Sequence, residues 1–126
     1  MVKKIIIILI GLVVIIGVIY LIQHQSTPTP EPVDSQLVYY YGIGCPHCTN
    51  VEAFFEENKI EEKVPLTKKE IFYNTKNSNE LSARASKCNI PADQVGVPFL
   101  WDASSSSCLV GDVDIINFFK QKLGLK

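Results

Sequence analysis

The sequence has no surplus of basic residues, and this absence bears on the partners that the protein can bind. Twelve Lys and Arg residues stand against thirteen Asp and Glu residues in 126 positions, so the formal net charge is −1 at pH 7. Without Lys3 and Lys4, the balance becomes ten basic to thirteen acidic residues. Nucleic-acid binding depends on basic side chains that neutralise phosphates, so nucleic acid is not an expected partner.

The sequence also has only one long apolar run and no internal repeat, which excludes a polytopic membrane protein and a repeat array. Ile5–Ile22 carries no charge, and as a helix it would reach about 27 Å, close to the thickness of a bilayer core. We expect residues 1–22 to be an uncleaved membrane anchor, with lipid around Ile5–Ile22. Lys3 and Lys4 then place the N-terminus in the cytoplasm and the rest of this single-pass protein outside. The alternative is a cleaved signal peptide, but no small-x-small cleavage site follows the run.

Residues 23–35 are polar and contain prolines at alternate positions. Pro28, Pro30 and Pro32 favour an extended spacer, since such a stretch cannot bury a core. We therefore expect a linker over residues 23–35 and one folded domain over residues 36–126.

Cysteines are few: four in the whole chain, too few for a fold built on disulfides alone. Cys45 and Cys48 form a close pair, whereas Cys88 and Cys108 are isolated from each other in sequence. An oxidising compartment favours pairing of accessible thiols, so we expect a structural disulfide between Cys88 and Cys108. Two buried free thiols or a second redox relay are the alternatives.

The folded part shows alternating patterns of strands and helices. The expected strands are Leu37–Tyr41, Leu66–Tyr73, Pro98–Asp102 and Cys108–Val110, and the expected helices are Pro46–Asn58, Asn79–Lys87 and Val113–Leu123. In the second strand Ile71–Tyr73 is the most strand-like part. Asn77 or Ser78 is expected to cap the second helix, and Asp112 the last one. The order β-α-β-α-β-β-α predicts a mixed α/β domain.

The chemistry of the domain is expected at Cys45-Pro46-His47-Cys48, between a strand and the start of a helix. A helix N-terminus stabilises an anion, so it favours the thiolate form of Cys45. A protonated His47 would add a positive charge beside that sulfur. Cys48, one helical turn further on, can close a disulfide with Cys45. Cys45 is thus the expected nucleophile and Cys48 the resolving thiol.

The run from Gly44 to Cys48 after a strand, with Val97-Pro98 about fifty residues downstream, resembles the thioredoxin superfamily over Leu37–Leu123. The resemblance implies a three-layer sandwich, a cis-proline at Pro98 and a backbone at Val97 that binds the substrate chain. Pro46-His47 is similar to the dipeptide of DsbA-type oxidases, where it favours the reduced form.

The short length of the domain is closer to glutaredoxins than to DsbA-type oxidases. Gly111-Asp112 weakly resembles the glycine-acid loop of glutaredoxins. Thioredoxin has a buried carboxylate six residues before the first motif cysteine, but this sequence has Tyr39 there.

These observations predict an extracytoplasmic thiol-disulfide oxidoreductase that forms disulfides in exported proteins. The expected partners are cysteine-containing exported proteins and a membrane redox partner, either a quinone-linked oxidase or a transmembrane reductase. The Cys45–Cys48 disulfide would be the only redox group, with no cofactor and no metal, in a monomer.

One alternative function is a reductant or a glutaredoxin-like electron carrier. Another is a non-enzymatic module with a structural or zinc-loaded CxxC. A four-ligand zinc site normally needs a second close pair, which the spacing of Cys88 and Cys108 does not provide.

Overall fold

The computed structural model describes residues 2–23 and 36–126. The chain divides into two compact units, Met1–Glu31 and Pro32–Lys126. The first unit contains helix α1, Val2–Gln23. Across the described ranges, no helix combines the length and the apolar content needed to cross a membrane. The transmembrane anchor expected over Ile5–Ile22 is therefore unsupported, although the segment is helical. The expected linker over residues 23–35 lies, apart from Gln23, outside the described residues.

The second unit is a mixed α/β domain, as the sequence predicts. Its strands are β1 (Leu37–Tyr41), β2 (Leu66–Glu70), β3 (Phe99–Asp102) and β4 (Ser107–Val110), and its helices are α2 (Pro46–Asn58), α3 (Ile60–Lys63), α4 (Thr75–Lys87) and α5 (Asp112–Leu123). A single turn of 3-10 helix, Ala92–Gln94, precedes β3.

The four strands form one sheet in the order β2-β1-β3-β4. β1 runs parallel to β2 and antiparallel to β3, and β3 pairs antiparallel with β4. β1 has a neighbour on each side and a helical layer on each face. This position explains why its five residues are apolar or aromatic without interruption.

Helices cover both faces of the sheet, and each face has its own core. Alternate residues of β1 point to opposite faces: Leu37 and Tyr39 join one cluster, and Val38 and Tyr40 the other. The first cluster contains side chains from α2, α3 and α5, namely Val51, Phe55, Ile60, Ile115 and Phe119. The second contains Leu81 and Ala85 from α4 with Phe99 and Trp101 from β3.

The second strand is shorter than predicted, because a carboxylate turns the chain at its end. Glu70 accepts hydrogen bonds from the backbone N–H groups of Phe72 and Tyr73, at 2.7 and 2.9 Å. The strand prediction for Ile71–Tyr73 is wrong. Phe72 and Tyr73 lie 56% and 82% exposed rather than in the core.

Two helix starts also differ from the predictions, and one short helix is additional. The N-cap of α4 is Asn74, whose side chain accepts from the Asn77 N–H at 3.2 Å, so Asn77 and Ser78 lie inside the helix. Helix α5 begins at Asp112, which is therefore not its cap. The short helix α3 was not predicted. It follows Lys59, which ends α2 in the left-handed conformation, and it buries Ile60 in the first core.

Candidate active site

A tight turn places the cysteine pair directly after the central strand. The Cys45 N–H donates to the Gly42 carbonyl oxygen at 3.1 Å, which closes the turn. Gly44 has φ +82°, a conformation that L residues with a Cβ rarely adopt. The turn therefore depends on glycine at position 44, and it sets Cys45 at the N-terminus of α2.

Cys45 is the N-cap of α2, and its sulfur accepts a hydrogen bond from a backbone N–H group of the first turn. The Cys48 N–H donates to Cys45 Sγ at 3.2 Å. Pro46 takes the first helical position, where its missing N–H costs nothing. The two cysteines form a disulfide with a Cα–Cα distance of 5.2 Å. Cys45 is partly exposed and Cys48 is 2% exposed, so an incoming sulfur has access to Cys45.

The structure brings Val97 and Pro98 to the same place, although they lie some fifty residues further along the chain. Cys45 Sγ lies 3.7 Å from the Val97 carbonyl oxygen. The Val97–Pro98 peptide bond is cis, and Pro98 is fully buried. The Gly111 N–H donates to the Pro98 carbonyl oxygen at 2.9 Å, which ties this loop to the start of α5.

His47 is on the surface of the site and contacts a carboxylate from another helix. Its side chain is 70% exposed, and its Nδ1 lies 3.2 Å from Asp112 Oδ1. The side-chain amide of Asn50 donates to the other oxygen of Asp112 at 2.6 Å. The hydrogen bonds from Asn50 and His47 hold the pKa of the Asp112 carboxyl below its usual value. Asp112 thus links the N-terminal turns of α2 and α5.

Behind Cys48 lies the buried phenol of Tyr39, six residues before Cys45 in the sequence. Tyr39 is fully buried, and its hydroxyl donates to the Cys48 carbonyl oxygen at 3.4 Å. Burial, and next the negative charge of Glu52, raise the pKa of Tyr39 far above its usual value. Tyr39 is therefore neutral at physiological pH and donates a hydrogen bond instead of carrying a charge.

Glu52 lies one turn beyond Cys48 on α2 and pairs with a lysine of the neighbouring strand. Lys68 Nζ is 3.0 Å from Glu52 Oε1 and 3.3 Å from Glu61 Oε1. Burial opposes the charge on Lys68, but the ion pairs with Glu52 and Glu61 outweigh it and raise its pKa. These contacts join β2 to α2 and α3.

Cys88 and Cys108 form a second disulfide, remote in sequence from the first. Their Cα atoms are 6.1 Å apart, within the range that a disulfide can bridge. The bond connects the C-cap of α4 to the edge strand β4. Across residues 2–23 and 36–126, no three His, Cys, Asp or Glu side chains are grouped so that they could hold a metal ion.

The contacts of Asp112 were not found from the sequence. The sequence predicts Asp112 as a helix cap and as part of a glycine-acid loop, but neither prediction connects it to His47. No sequence pattern indicates a role for Asn50. The contact joins residues 65 positions apart, and only the packing of α5 against α2 creates it.

Comparison of the chain with family models, with curated proteins and with solved structures found no match. The class of the protein is therefore defined by its own fold and site. It is a small α/β domain with a four-stranded sheet and a Cys45–Cys48 disulfide between a strand and a helix. This architecture is compatible with a thioredoxin-like fold, and the disulfide is compatible with redox function.

Proposed function

We propose that the protein is a thiol-disulfide oxidoreductase of thioredoxin-like fold. The observation that carries the proposal is the environment of Cys45 Sγ. Cys45 is partly exposed, its sulfur accepts a helix N-terminal N–H, and its disulfide partner Cys48 is buried. Such asymmetry is typical of a pair in which one sulfur exchanges with substrates and the other resolves the intermediate.

The reaction transfers a disulfide between the protein and a dithiol substrate. A substrate thiolate attacks Cys45 Sγ, the Cys45–Cys48 bond breaks, and Cys48 leaves as a thiolate that takes up a proton. A second substrate thiolate then attacks the substrate sulfur of the mixed disulfide. Cys45 leaves as a thiolate, which the N-terminus of α2 stabilises. The substrate is oxidised by two electrons, and the protein is left as a thiolate and a thiol.

The direction favoured by the site is oxidation of the substrate. The helix N-terminus, and His47 when protonated, stabilise the reduced form of the pair, and a stable reduced form makes a stronger oxidant. The resemblance of Pro46-His47 to DsbA-type oxidases supports the same direction. The Val97 carbonyl, 3.7 Å from Cys45 Sγ, is a suitable hydrogen-bond acceptor for an extended substrate chain. Net transfer of electrons to substrates, as a reductant or a glutaredoxin-like carrier, is the runner-up.

The Cys88–Cys108 disulfide supports a function outside the cytoplasm, because disulfides persist in oxidising compartments. The proposed substrates are exported proteins with cysteine pairs. A membrane redox partner would reoxidise the Cys45–Cys48 pair after each turnover.

Trapping of a mixed disulfide tests the proposed function. The Cys48→Ser variant keeps an accessible Cys45 thiol but cannot resolve an intermediate. Mixed with glutathione disulfide, it should accumulate one glutathione per chain at Cys45, releasing one reduced glutathione. Intact-mass analysis and peptide mapping would locate the adduct.

The matched control is Cys45→Ser, which leaves only the buried Cys48 thiol in the motif. It should form the adduct far more slowly. If both variants react at the same rate, or neither reacts, the pair is not an asymmetric redox centre. The proposed function would then give way to a structural or metal-binding CxxC.

A further inference from the structure

Asp112 is a charged group of the site that the proposed reaction does not use. Its side chain is 17% exposed, and both of its carboxylate oxygens are engaged by α2. Asn50 donates to one oxygen at 2.6 Å, and the His47 Nδ1 lies 3.2 Å from the other. The amide fixes the carboxylate, and the carboxylate in turn sets where the imidazole of His47 lies.

The contact is present with the cysteine pair in its oxidised form. In that form the motif carries no thiolate, so Asp112 is the anion that faces a protonated His47. Reduction adds two electrons and one proton to the disulfide, which gives a Cys45 thiolate and a Cys48 thiol. A second anion then lies two residues from His47, on the same helical turn.

We propose that Asp112 competes with the Cys45 thiolate for the imidazolium of His47 and so limits how strongly the protein oxidises its substrates. This role rests on the proposed function and deepens it. Asp112 acts as a positioning residue, because it works through His47 rather than on the reacting sulfurs. Removal of the carboxylate frees the imidazolium to face the thiolate, which stabilises the reduced form.

Several groups face this carboxylate, and they decide the conditions for a test. His47 and Asn50 contact it from α2, and the buried phenol of Tyr39 on β1 senses its charge. Tyr39 stays neutral and Asn50 carries no charge, so a protonated His47 is the cation that this set can supply. The redox equilibrium is therefore measured at several pH values in every variant, so that the comparison does not depend on one assumed charge state of His47.

A double-mutant cycle on the redox equilibrium tests the proposal. The full chain is equilibrated with reduced and oxidised glutathione, in which one disulfide and two glutathione thiols give one dithiol and one glutathione disulfide. In the parent background, Asp112→Asn should shift the equilibrium toward the dithiol by roughly two- to fivefold, the size expected for an ion pair whose cation is exposed to water. In a His47→Ala background, Asp112→Asn should shift the glutathione equilibrium by a clearly smaller factor than in the parent.

Asp114→Asn is the matched control, since it removes an exposed carboxylate from the same first turn of α5. It should leave the equilibrium near the parent value. Asp112→Ser provides a second variant without the carboxylate, should Asp112→Asn lower the stability of the fold. Both Asp112 variants should behave alike.

An equal shift in the two His47 backgrounds would mean direct repulsion between Asp112 and the thiolate, and would overturn the proposal. No shift, or a shift toward the disulfide, would overturn it as well. These outcomes are distinct from a failure of the proposed function, because they are read in a parent protein whose Cys48→Ser variant already traps glutathione.

Discussion

Single side chains at the start of α2 set the chemistry of the site. Cys45 accepts the Cys48 N–H at 3.2 Å, and a sulfur in this position gains most from such a bond when it is a thiolate. His47 is one residue away and 70% exposed, so its effect on the thiolate is screened by water. The helix N-terminus and the imidazolium therefore act on the same sulfur with different sensitivity to solvent.

Replacement of His47 by alanine should make the protein a weaker oxidant. Loss of the imidazolium destabilises the Cys45 thiolate, so the glutathione equilibrium should move toward the disulfide by roughly two- to fivefold. Thiolate absorbance followed against pH, together with that equilibrium, would measure the change. His47→Lys keeps a cation at the position and should retain part of the effect. An unchanged equilibrium in His47→Ala would mean that the helix N-terminus alone stabilises the Cys45 thiolate.

One carboxylate of α4 binds to both strands of the parallel pair. Glu80 on α4 accepts the Tyr40 hydroxyl at 2.6 Å and pairs with Lys69 Nζ at 2.6 Å, so it connects the helix to β1 and β2. Burial works against its charge, but the bonds from Lys69 and Tyr40 prevail and lower the pKa of Glu80. Burial and the same hydrogen bond raise the pKa of Tyr40.

The stability of this connection should depend on pH with a defined sign. Because the pKa of Glu80 is lower in the folded chain than in the unfolded one, its contribution is present above ~4.3, the unfolded value, and is lost as the pH falls through the folded value. Glu80→Gln should unfold more easily at neutral pH, by roughly 1–2 kcal/mol, and should lose less stability on acidification.

Urea unfolding at several pH values would measure both effects of Glu80→Gln. Glu57→Gln, which removes an exposed carboxylate from α2, is the control and should follow the parent curve. If the free energy of unfolding changes with pH in the same way in the parent and in Glu80→Gln, the ionised Glu80 carboxylate does not stabilise the folded chain.

In the α/β domain, a disulfide links the end of helix α4 covalently to the edge strand β4. The Cys88–Cys108 disulfide closes a loop with a sequence separation of 20. The edge strand β4 has β3 as its partner in the sheet, and the disulfide adds a connection to α4. Both cysteines are partly buried beside the second core, where Ile90 and Val95 also pack.

The double variant Cys88→Ser/Cys108→Ser should be less stable than the parent by about 3 kcal/mol, the loop-closure entropy for a loop of this length. The Cys45–Cys48 pair should keep its glutathione equilibrium, because the second disulfide lies outside the site. Urea midpoints under non-reducing conditions would measure the loss. A midpoint equal to that of the parent would show that the bond adds no stability.

The α/β class, the strand order along the chain and the position of the cysteine pair were readable from the sequence. These features follow from local signals: alternating apolar patterns, Pro46 at a helix start, and glycine at a turn. Such signals act between residues near one another in sequence, so Leu37–Tyr41 and Pro46–Asn58 have the bounds that the sequence predicts.

Contacts between distant residues required the folded chain. Ile71–Tyr73 is apolar enough for a strand, but Glu70 binds the backbone N–H groups that would have continued it. Asp112 has the residue type of a helix cap, yet it is the first residue of α5, and its carboxylate faces His47 and Asn50 because α5 packs against α2. A side chain's partners depend on which elements pack together, and that choice is made by burial of the whole core rather than by any local pattern.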